Sequence, residues 1–319
     1  MTRVSIAMAT FNGERFLREQ MDSFTRQLRL PDELVVCDDQ SADGTVAIVE
    51  EFALTSPFPV HIHRNSQRLG YSGNFEGAIS WTSGDLIFIS DQDDVWFPEK
   101  IATVLETMGK AGRPVVTVND QRIVDADGRG GRRTIFLNSR RAGFADTELI
   151  AGSCTALPRS LLPVVLPFPA GVPYDSWIGA VADSLGIKRL IEQPLQDFRR
   201  HQANASDPIA VSSPHQLGTF ARYGFSDPRG GWQEEIAWRR TLIDRLSSSS
   251  SALQHLASSD EVTRATEINE SRIKALEDRS KILSRPRSRR PFEIYRAWSH
   301  GIYDQFAGIR SLVKDLVRP

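Results

Sequence analysis

The sequence predicts an α/β fold in which a mostly parallel central sheet is flanked by helices and followed by a helical C-terminal extension. Short apolar runs alternate four times with segments of helical periodicity up to about residue 90, which is typical of parallel strands joined by helical crossovers. Strand-like runs cease after about residue 210. We therefore predict one α/β domain over residues 1–210, with halves at 1–110 and 111–210, and a mainly helical extension over residues 211–319.

The predicted elements follow one another in a regular order. An apolar run at 4–9 indicates the first strand, and one face of the first helix is expected to carry Leu17, Met21, Phe24 and Leu28. The other elements of the first half are expected as strands at 34–37, 59–63 and 86–90 and as helices at 46–53 and 74–81. Beyond them we expect strands at 115–118, 151–157 and 187–191, and helices at 175–185 and 261–283.

Composition excludes several classes of protein. The 319 residues are 40% hydrophobic, which supplies a large core, and a formal net charge of −1 with dispersed basic residues disfavours nucleic-acid binding. Cys37 and Cys154 are too few for a disulfide framework or a thiolate metal site. The amino terminus is typical of a strand rather than a signal peptide, and no apolar window of 18 residues occurs. We therefore expect a cytoplasmic protein without a membrane-spanning helix.

Polar residues follow three of the predicted strands, at 10–13, 38–43 and 91–94. The carboxyl ends of parallel strands meet at one edge of a sheet, where α/β folds bind their ligands. Within the second group, Asp38 and Asp39 suit hydrogen bonds to a ribose or a base, although the same residues are also ordinary in turns and caps. The coincidence of three polar groups predicts a binding site at this edge.

Asp91, Asp93 and Asp94 form the most informative cluster, directly after the apolar run at 86–89. Mg²⁺ and Mn²⁺ favour carboxylate oxygens and often bridge them to substrate phosphates, so the cluster predicts a metal-bound diphosphate. The alternative is that Asp93 or Asp94 caps the helix expected after Pro98. The sequence has neither a P-loop nor a G-x-G-x-x-G dinucleotide fingerprint, which disfavours kinases and dehydrogenases.

These motifs together resemble the family 2 glycosyltransferases, inverting enzymes with the GT-A fold, and particularly their bacterial rhamnosyltransferase-like members. The resemblance covers about the first 110 residues through the segments at 4–13, 38–45, 65–74 and 91–96. It continues more weakly through Tyr174-Asp175-Ser176-Trp177 and the segment at 198–204. It implies transfer of a sugar from a nucleoside-diphosphate sugar, with dTDP-rhamnose as one candidate, to a hydroxyl of a polysaccharide or lipid-linked glycan precursor in cell-surface polysaccharide biosynthesis.

The resemblance also assigns roles to single positions. It implies that Asp175 is the general base, although a helix cap after Pro173 explains the same residue. The implied ligands of a divalent cation, Mn²⁺ or Mg²⁺, are Asp91, Asp93 and His201. The implied contacts to the nucleotide sugar are Thr10, Asp38, Asp39, Arg68, Asp91, Arg199 and Arg200. Ser176 departs from the aromatic residue common after the base, which indicates a different acceptor pocket.

Residues 285–319 form a basic tail, with eight basic and three acidic residues and hence a net charge of +5. Aromatic and aliphatic residues are interleaved with these charges at helical spacing. Two interpretations stay open, peripheral contact with the anionic inner face of the plasma membrane or packing of an apolar stripe on the catalytic domain, and the second is slightly favoured. For the whole chain, the alternatives to a transferase are a nucleotidyltransferase-like enzyme and a non-catalytic membrane-apposed binding protein.

Overall fold

The computed structural model describes residues 2–201, 204, 227–249, 253–306 and 308–318. The chain divides into two compact units, which we call the sheet unit and the helical unit. The sheet unit comprises residues 1–211 and 251–258, and the helical unit comprises residues 212–250 and 259–319. Residues 211–226 of the predicted extension, and Gln202 and Ala203 of the motif at 198–204, lie outside the described residues.

The sheet unit is built on one sheet whose strands run in the order β3-β2-β1-β4-β8-β6-β9-β5, with β7 paired to β6. The strands are β1 (Val4–Thr10), β2 (Glu33–Asp38), β3 (Val60–Arg64), β4 (Leu86–Ser90), β5 (Val95–Trp96), β6 (Val116–Val124), β7 (Gly130–Thr134), β8 (Thr155–Pro158) and β9 (Lys188–Arg199). Its helices are α1 (Leu17–Thr25), α2 (Thr45–Thr55), α3 (Gly70–Trp81), α4 (Lys100–Ala111), α5 (Ile135–Arg141), α6 (Leu162–Val165) and α7 (Tyr174–Ser184).

The first half of this sheet is parallel, as predicted. Strands β1, β2, β3 and β4 pair only in the parallel sense among themselves, so their carboxyl ends meet at one edge. Val36, Ile6 and Phe88 lie fully buried on three neighbouring strands, and the apolar runs that predicted these strands form the centre of the core. The α/β fold class is therefore confirmed, and the carboxyl ends of these four strands share one edge of the sheet.

The second half of the sheet is mixed rather than parallel. Strand β8 runs antiparallel to β4 and β6, whereas β9 runs parallel to β6 and antiparallel to β5. Strand β9 is also longer than the predicted 187–191, because its second half pairs with β6 on one side and with Val95 and Trp96 on the other. This pairing fixes the chain directly after the acidic motif to a strand that lies about one hundred residues further along.

The helical unit contains α8 (Arg229–Ser248), α9 (Ser259–Leu283), α10 (Arg290–Ser299) and α11 (Ile309–Val317). Helix α9 corresponds to the helix expected at 261–283. A small core forms where Ile282, Ile294, Ala297 and Tyr303 pack together. Within the part of the chain that the structure describes, no helix combines the length and apolarity needed to cross a membrane.

Candidate active site

The loops after β1 and β2 are fastened to each other at the predicted edge. Asn12 and Gln40 adopt left-handed backbone conformations, with φ of 46° and 63°, which are unusual for residues other than glycine. The Asn12 side-chain oxygen accepts a hydrogen bond from the backbone N–H of Ala42 at 2.9 Å, and the backbone N–H of Asn12 donates to the Ser41 hydroxyl at 2.8 Å. Strained backbone conformations that are held in place by several hydrogen bonds are typical of functional loops.

Asp39 joins these loops to the start of α3. Its buried carboxylate accepts hydrogen bonds from the backbone N–H groups of Leu69 at 2.7 Å and Gly70 at 3.0 Å. The Arg68 guanidinium lies 3.8 Å from the same carboxylate and stacks 3.6 Å from the centre of the Phe11 ring. Asp39 and Arg68 are thus held together at the wall of a pocket.

Asp38 has a different environment from Asp39. Its fully buried carboxylate accepts hydrogen bonds from the Thr10 hydroxyl at 3.1 Å and from the Ser41 backbone N–H at 2.9 Å. Because its oxygens are used by these partners, Asp38 stabilises the loops after β1 and β2. Thr10 lines the cavity at this edge.

The acidic motif gathers carboxylates whose charges oppose one another. Burial, followed by the charges of Asp94, Asp93 and Asp175, raises the pKa of Asp91 well above its usual range. Burial likewise raises the pKa of Asp93 to about 6 and that of Asp94 to about 7. Within the described residues, Oδ1 of Asp94 is buried without a hydrogen-bond partner. The cluster therefore has more negative charge than its protein surroundings neutralise.

A buried polar network supports the motif from below. The second oxygen of Asp94 accepts hydrogen bonds from Ser153 Oγ at 2.8 Å and from Gln196 Nε2 at 2.6 Å. The Lys100 ammonium donates to the Ser153 carbonyl at 2.9 Å and to Gln196 Oε1, and it lies 3.9 Å from the centre of the Trp96 ring. Burial lowers the pKa of Lys100 to about 8. The positive charge of Lys100 acts on Asp91 and Asp94, so Lys100 is a counter-charge for the motif.

His201 meets the motif from the end of β9. Its Nε2 lies 2.8 Å from Oδ2 of Asp93, and its ring packs on Phe16 with centroids 4.7 Å apart. Burial, followed by the charges of Arg15, Arg199 and Arg200, lowers the pKa of His201, so the contact with Asp93 is a hydrogen bond of a neutral imidazole. A neutral imidazole is the form that binds metal ions.

A cavity of about 260 Å³ opens over these groups. Asp39, Arg68, Asp91 and Asp93 line it, together with Thr10. Most of the predicted binding residues from the first half thus line the same cavity. The side chains that the sequence-based prediction did not assign include Tyr71, Asn74, Gln92 and Asn204.

Two of these unassigned residues have clear positioning contacts. The Gln92 side chain accepts from the Phe11 N–H at 2.9 Å and donates to the Phe11 carbonyl at 3.0 Å, which ties the acidic motif to the loop after β1. Asn204 accepts from the His201 backbone N–H at 2.7 Å. Both residues belong to motifs already singled out in the sequence, but only the fold reveals the partners of their amide groups.

Arg199 and Arg200 are not among the described residues that line the cavity. The buried guanidinium of Arg199 donates to the Asp93 carbonyl at 3.2 Å, to the Ala126 carbonyl at 3.0 Å and to Glu19 at 2.6 Å. The Arg200 guanidinium lies 6.0 Å from the centre of the Phe198 ring. In this arrangement Arg199 holds the backbone of the acidic motif in place instead of facing the cavity as the predicted diphosphate clamp.

Asp175 lies in the first turn of α7, where its Oδ1 accepts the N–H of Ser176 at 2.7 Å. The N-cap position of α7 is Pro173 and no side chain caps it, so the interpretation of Asp175 as a helix cap is wrong, while the charge of Asp175 contributes to the raised pKa of Asp91. Burial raises the pKa of Asp175 itself. Tyr174 beside it packs against Tyr71 and Phe75, with ring centroids 5.2 and 4.3 Å away, so an aromatic surface leads from Asp175 towards the cavity.

The donors in this region suit a hard divalent cation. Carboxylates with mutually raised pKa values and the orphaned Oδ1 of Asp94 indicate a place for positive charge, and Asp93 with His201 offers an oxygen and a nitrogen ligand. No cluster of three or more His, Cys, Asp or Glu side chains with metal-binding geometry occurs among the residues that the structure describes. Mg²⁺ is commonly held by one or two carboxylates with water and phosphate completing its shell, so the residues present fit such an ion.

The fold is that of GT-A glycosyltransferases, which are built on a mixed sheet of this kind. The chain aligns with S. aureus TarS 1-349 in complex with UDP-GlcNAc over 97% of this chain and 90% of that one, with a TM-score of 0.56 and 15% identity. It also aligns with the mannosyltransferase PcManGT from Pyrobaculum calidifontis, solved with GDP-Man and Mn²⁺, over 99% and 87% of the two chains, with a TM-score of 0.50 and 19% identity. At these identities the likeness concerns the fold.

Sequence comparison identifies the family. Residues 5–162 match the model of Glycosyl transferase family 2. The chain is 33% identical over 187 residues to the Escherichia coli UDP-Glc:alpha-D-GlcNAc-diphosphoundecaprenol beta-1,3-glucosyltransferase WfgD, which covers 57% of this chain and 70% of that protein. The chain belongs to glycosyl transferase family 2.

A second relative matches a shorter segment. The chain is 35% identical over 105 residues to the dTDP-rhamnosyl transferase RfbG of Shigella flexneri, covering 32% of this chain and 36% of that protein. Among the first curated relatives it matches, the chain spans between 36% and 59% of their lengths.

Proposed function

We propose that the protein is an inverting glycosyltransferase that moves a sugar from a nucleoside-diphosphate donor to a hydroxyl of a polysaccharide or lipid-linked glycan precursor. The observation that carries this proposal is the cluster of Asp91, Asp93 and Asp94, whose charge is incompletely neutralised beside a cavity also lined by Asp39 and Arg68. Relatives and fold neighbours with nucleotide-sugar donors in their names support it.

We assign the donor to the wall formed by Thr10, Asp39 and Arg68, with Asp91 and Asp93 at its diphosphate. Asp91, Asp93 and His201 would hold a divalent cation, Mn²⁺ or Mg²⁺, and support comes from their chemistry and from the Mn²⁺ bound by one fold neighbour. The chemistry that such an ion supplies when bound is neutralisation of charge on the departing diphosphate.

We assign the general base to Asp175. A hydroxyl attacks well only when a carboxylate takes its proton in the transition state, and burial raises the pKa of Asp175 towards the range in which proton acceptance is effective. The acceptor oxygen forms a bond to the anomeric carbon as the bond from that carbon to the diphosphate oxygen breaks, and the proton passes to Asp175. Attack opposite the leaving group inverts the configuration, and the nucleoside diphosphate departs.

The test is nucleotide release by the full chain across dTDP-rhamnose, UDP-hexoses and GDP-mannose, with Mn²⁺, with Mg²⁺ or with EDTA, and with a GlcNAc-diphospho-lipid as acceptor. The rhamnose donor and the lipid-linked acceptor are included because of the two curated relatives. We expect Asp175→Asn to lower kcat for transfer by about 10²- to 10⁴-fold while donor binding is kept. Asp183→Asn, on the same helix and paired with Lys188 at 2.7 Å, is the matched control. The proposal would be refuted if the protein turned over none of these donors and bound none of them.

A further inference from the structure

Helix α10 divides its large side chains between two faces. Ile294 and Ala297 point into the small core of the helical unit. Phe292, Tyr295 and Trp298 recur every three residues on another face and are 71%, 63% and 47% exposed. Exposing three aromatic side chains on one helix face to water is unfavourable. Such a patch usually marks a surface that binds a partner.

Helix α11 has a similar stripe. Ile309, Val313 and Leu316 follow one another at spacings of four and three residues and are 68%, 49% and 38% exposed. The two helices pack against each other, and Arg290 at the start of α10 donates a hydrogen bond to the Arg318 carbonyl just beyond the end of α11 at 2.6 Å. We call the six exposed side chains Phe292, Tyr295, Trp298, Ile309, Val313 and Leu316 the amphipathic face.

The exposed charge around this face is strongly positive. The exposed arginines between residues 285 and 310 are Arg285, Arg287, Arg289, Arg296 and Arg310. Asp304 is the exposed acid of this part of the described chain, while Glu293 is half-buried and Asp315 is fully buried in ion pairs. The sign of the charge therefore selects an anionic partner.

A cavity of about 590 Å³ in the same unit adds a second basic feature. Its walls include Lys274, Lys281, Arg285 and Arg296, partly balanced by Asp278 and Glu293. Arg296 lies between Tyr295 and Trp298 in the sequence, so one residue belongs both to this basic cavity and to the helix that carries the exposed aromatic rings.

We infer that the amphipathic face binds the surface of a bilayer that contains anionic phospholipids. Aromatic rings favour the interface between headgroups and acyl chains, and nearby arginines interact with anionic headgroups, so both halves of the pattern suit one partner. Such binding is peripheral. It would hold the chain at the surface where lipid-linked acceptors are found, although the inference itself stands on the helical unit alone.

The test is flotation of the full chain with vesicles of phosphatidylcholine alone or of phosphatidylcholine with phosphatidylglycerol. We expect binding only to the anionic vesicles, with a decrease at high salt. The triple variant F292S/Y295S/W298S should lose at least about tenfold in vesicle affinity, and each of Arg289→Gln and Arg310→Gln should lose about fivefold. The matched control is L28S/L54S, which removes two side chains of the sheet unit that are 77% and 85% exposed.

Each outcome has a defined meaning. Circular dichroism confirms that the variants are folded, and light scattering reports whether the chain dimerises. Equal binding of the triple variant and the control, or no binding to anionic vesicles, would overturn the inference. A dimer that the triple variant dissociates would assign the face to a second copy of the chain instead. Donor hydrolysis in vesicle-free solution, measured alongside, tests the proposed function independently.

Discussion

In the sheet unit, Asp91, Asp93 and Asp94 place carboxylates beside one another, whereas in the helical unit Asp315 is buried among groups that neutralise it. Asp315 accepts two hydrogen bonds from Arg279 at 2.8 and 2.9 Å, one from Tyr303 at 3.0 Å and one from Arg318 at 3.0 Å. Asp94, by contrast, has a buried oxygen without a partner among the described residues. The buried charge of Asp315 is matched and stabilises its unit, whereas the unmatched buried charge of the acidic motif indicates a place for a ligand.

The sharpest test compares the loss of one carboxylate in each unit. Asp315→Asn removes the carboxylate that pairs with the buried guanidinium of Arg279, so we expect the free energy of unfolding to fall by about 3–5 kcal/mol. Asp93→Asn relieves repulsion within the acidic motif, so the metal-free chain should lose little stability at about pH 8. Urea unfolding followed by circular dichroism measures both, with the exposed Asp304→Asn as control. Equal losses at Asp315 and Asp93 would contradict the comparison.

The pH dependence of stability tests the acidic motif without mutation. The pKa values of Asp93 and Asp94, about 6 and about 7, exceed the value of about 3.9 expected in the unfolded chain. The folded state therefore binds more protons than the unfolded chain. The stabilisation that these two carboxyl groups contribute is fully present below about pH 4 and is lost as the pH rises through 6 to 7. From Asp93 alone we expect a loss of about 2–3 kcal/mol.

The measurement is the Tm in EDTA between about pH 5 and pH 8, repeated with Mn²⁺. Because a bound cation neutralises carboxylates only when they are deprotonated, the stabilisation by Mn²⁺ should grow with pH. A Tm increment from Mn²⁺ that stays constant over this range would argue against a cation at the motif.

Lys100 provides a smaller test of the same charge imbalance. Lys100→Met keeps the length of the side chain but removes the ammonium and its hydrogen bonds to Ser153 and Gln196, so we expect about 2 kcal/mol of destabilisation in the metal-free chain. Lys110→Met is the control, because Lys110 lies on the same helix, is exposed and pairs with Glu106. If the two variants unfold alike, Lys100 is not a counter-charge of the motif.

The smallest expected effect concerns Gln92. Gln92→Ala removes two hydrogen bonds to the backbone of Phe11, whose ring carries the Arg68 guanidinium, so donor binding should weaken by about tenfold. The readout is the Kd for the donor that the nucleotide-release panel selects. Gln193→Ala, which removes an exposed amide near Glu99, serves as control. An unchanged Kd would show that the loop after β1 keeps its position without Gln92.

The sequence predicts the first half of the sheet unit well because the information there is local. Apolar runs and helical periodicity lie within each element, and polar residues at strand ends necessarily meet at a parallel edge. The roles of Arg199 and Gln196 could not be predicted, because their partners are distant in the sequence. Arg199 pairs with Glu19, 180 residues away, and Gln196 with Asp94, 102 residues away. No periodicity encodes such contacts. Arg199 was therefore predicted to bind the diphosphate, whereas in the structure it supports the backbone of the acidic motif.

The pairing of β5 with β9 has a consequence for the construction of chimeric transferases. Residues 91–96 form one short segment of the sequence, yet they are contacted by Gln196 and Arg199 of β9 and by His201 just beyond it, all in the predicted acceptor half. A graft that exchanges residues 1–110 between two family members would separate the acidic motif from the strand that braces it. Recombination that moves residues 1–110 together with 188–204 keeps these contacts intact, so the exchangeable part of this protein is discontinuous in sequence.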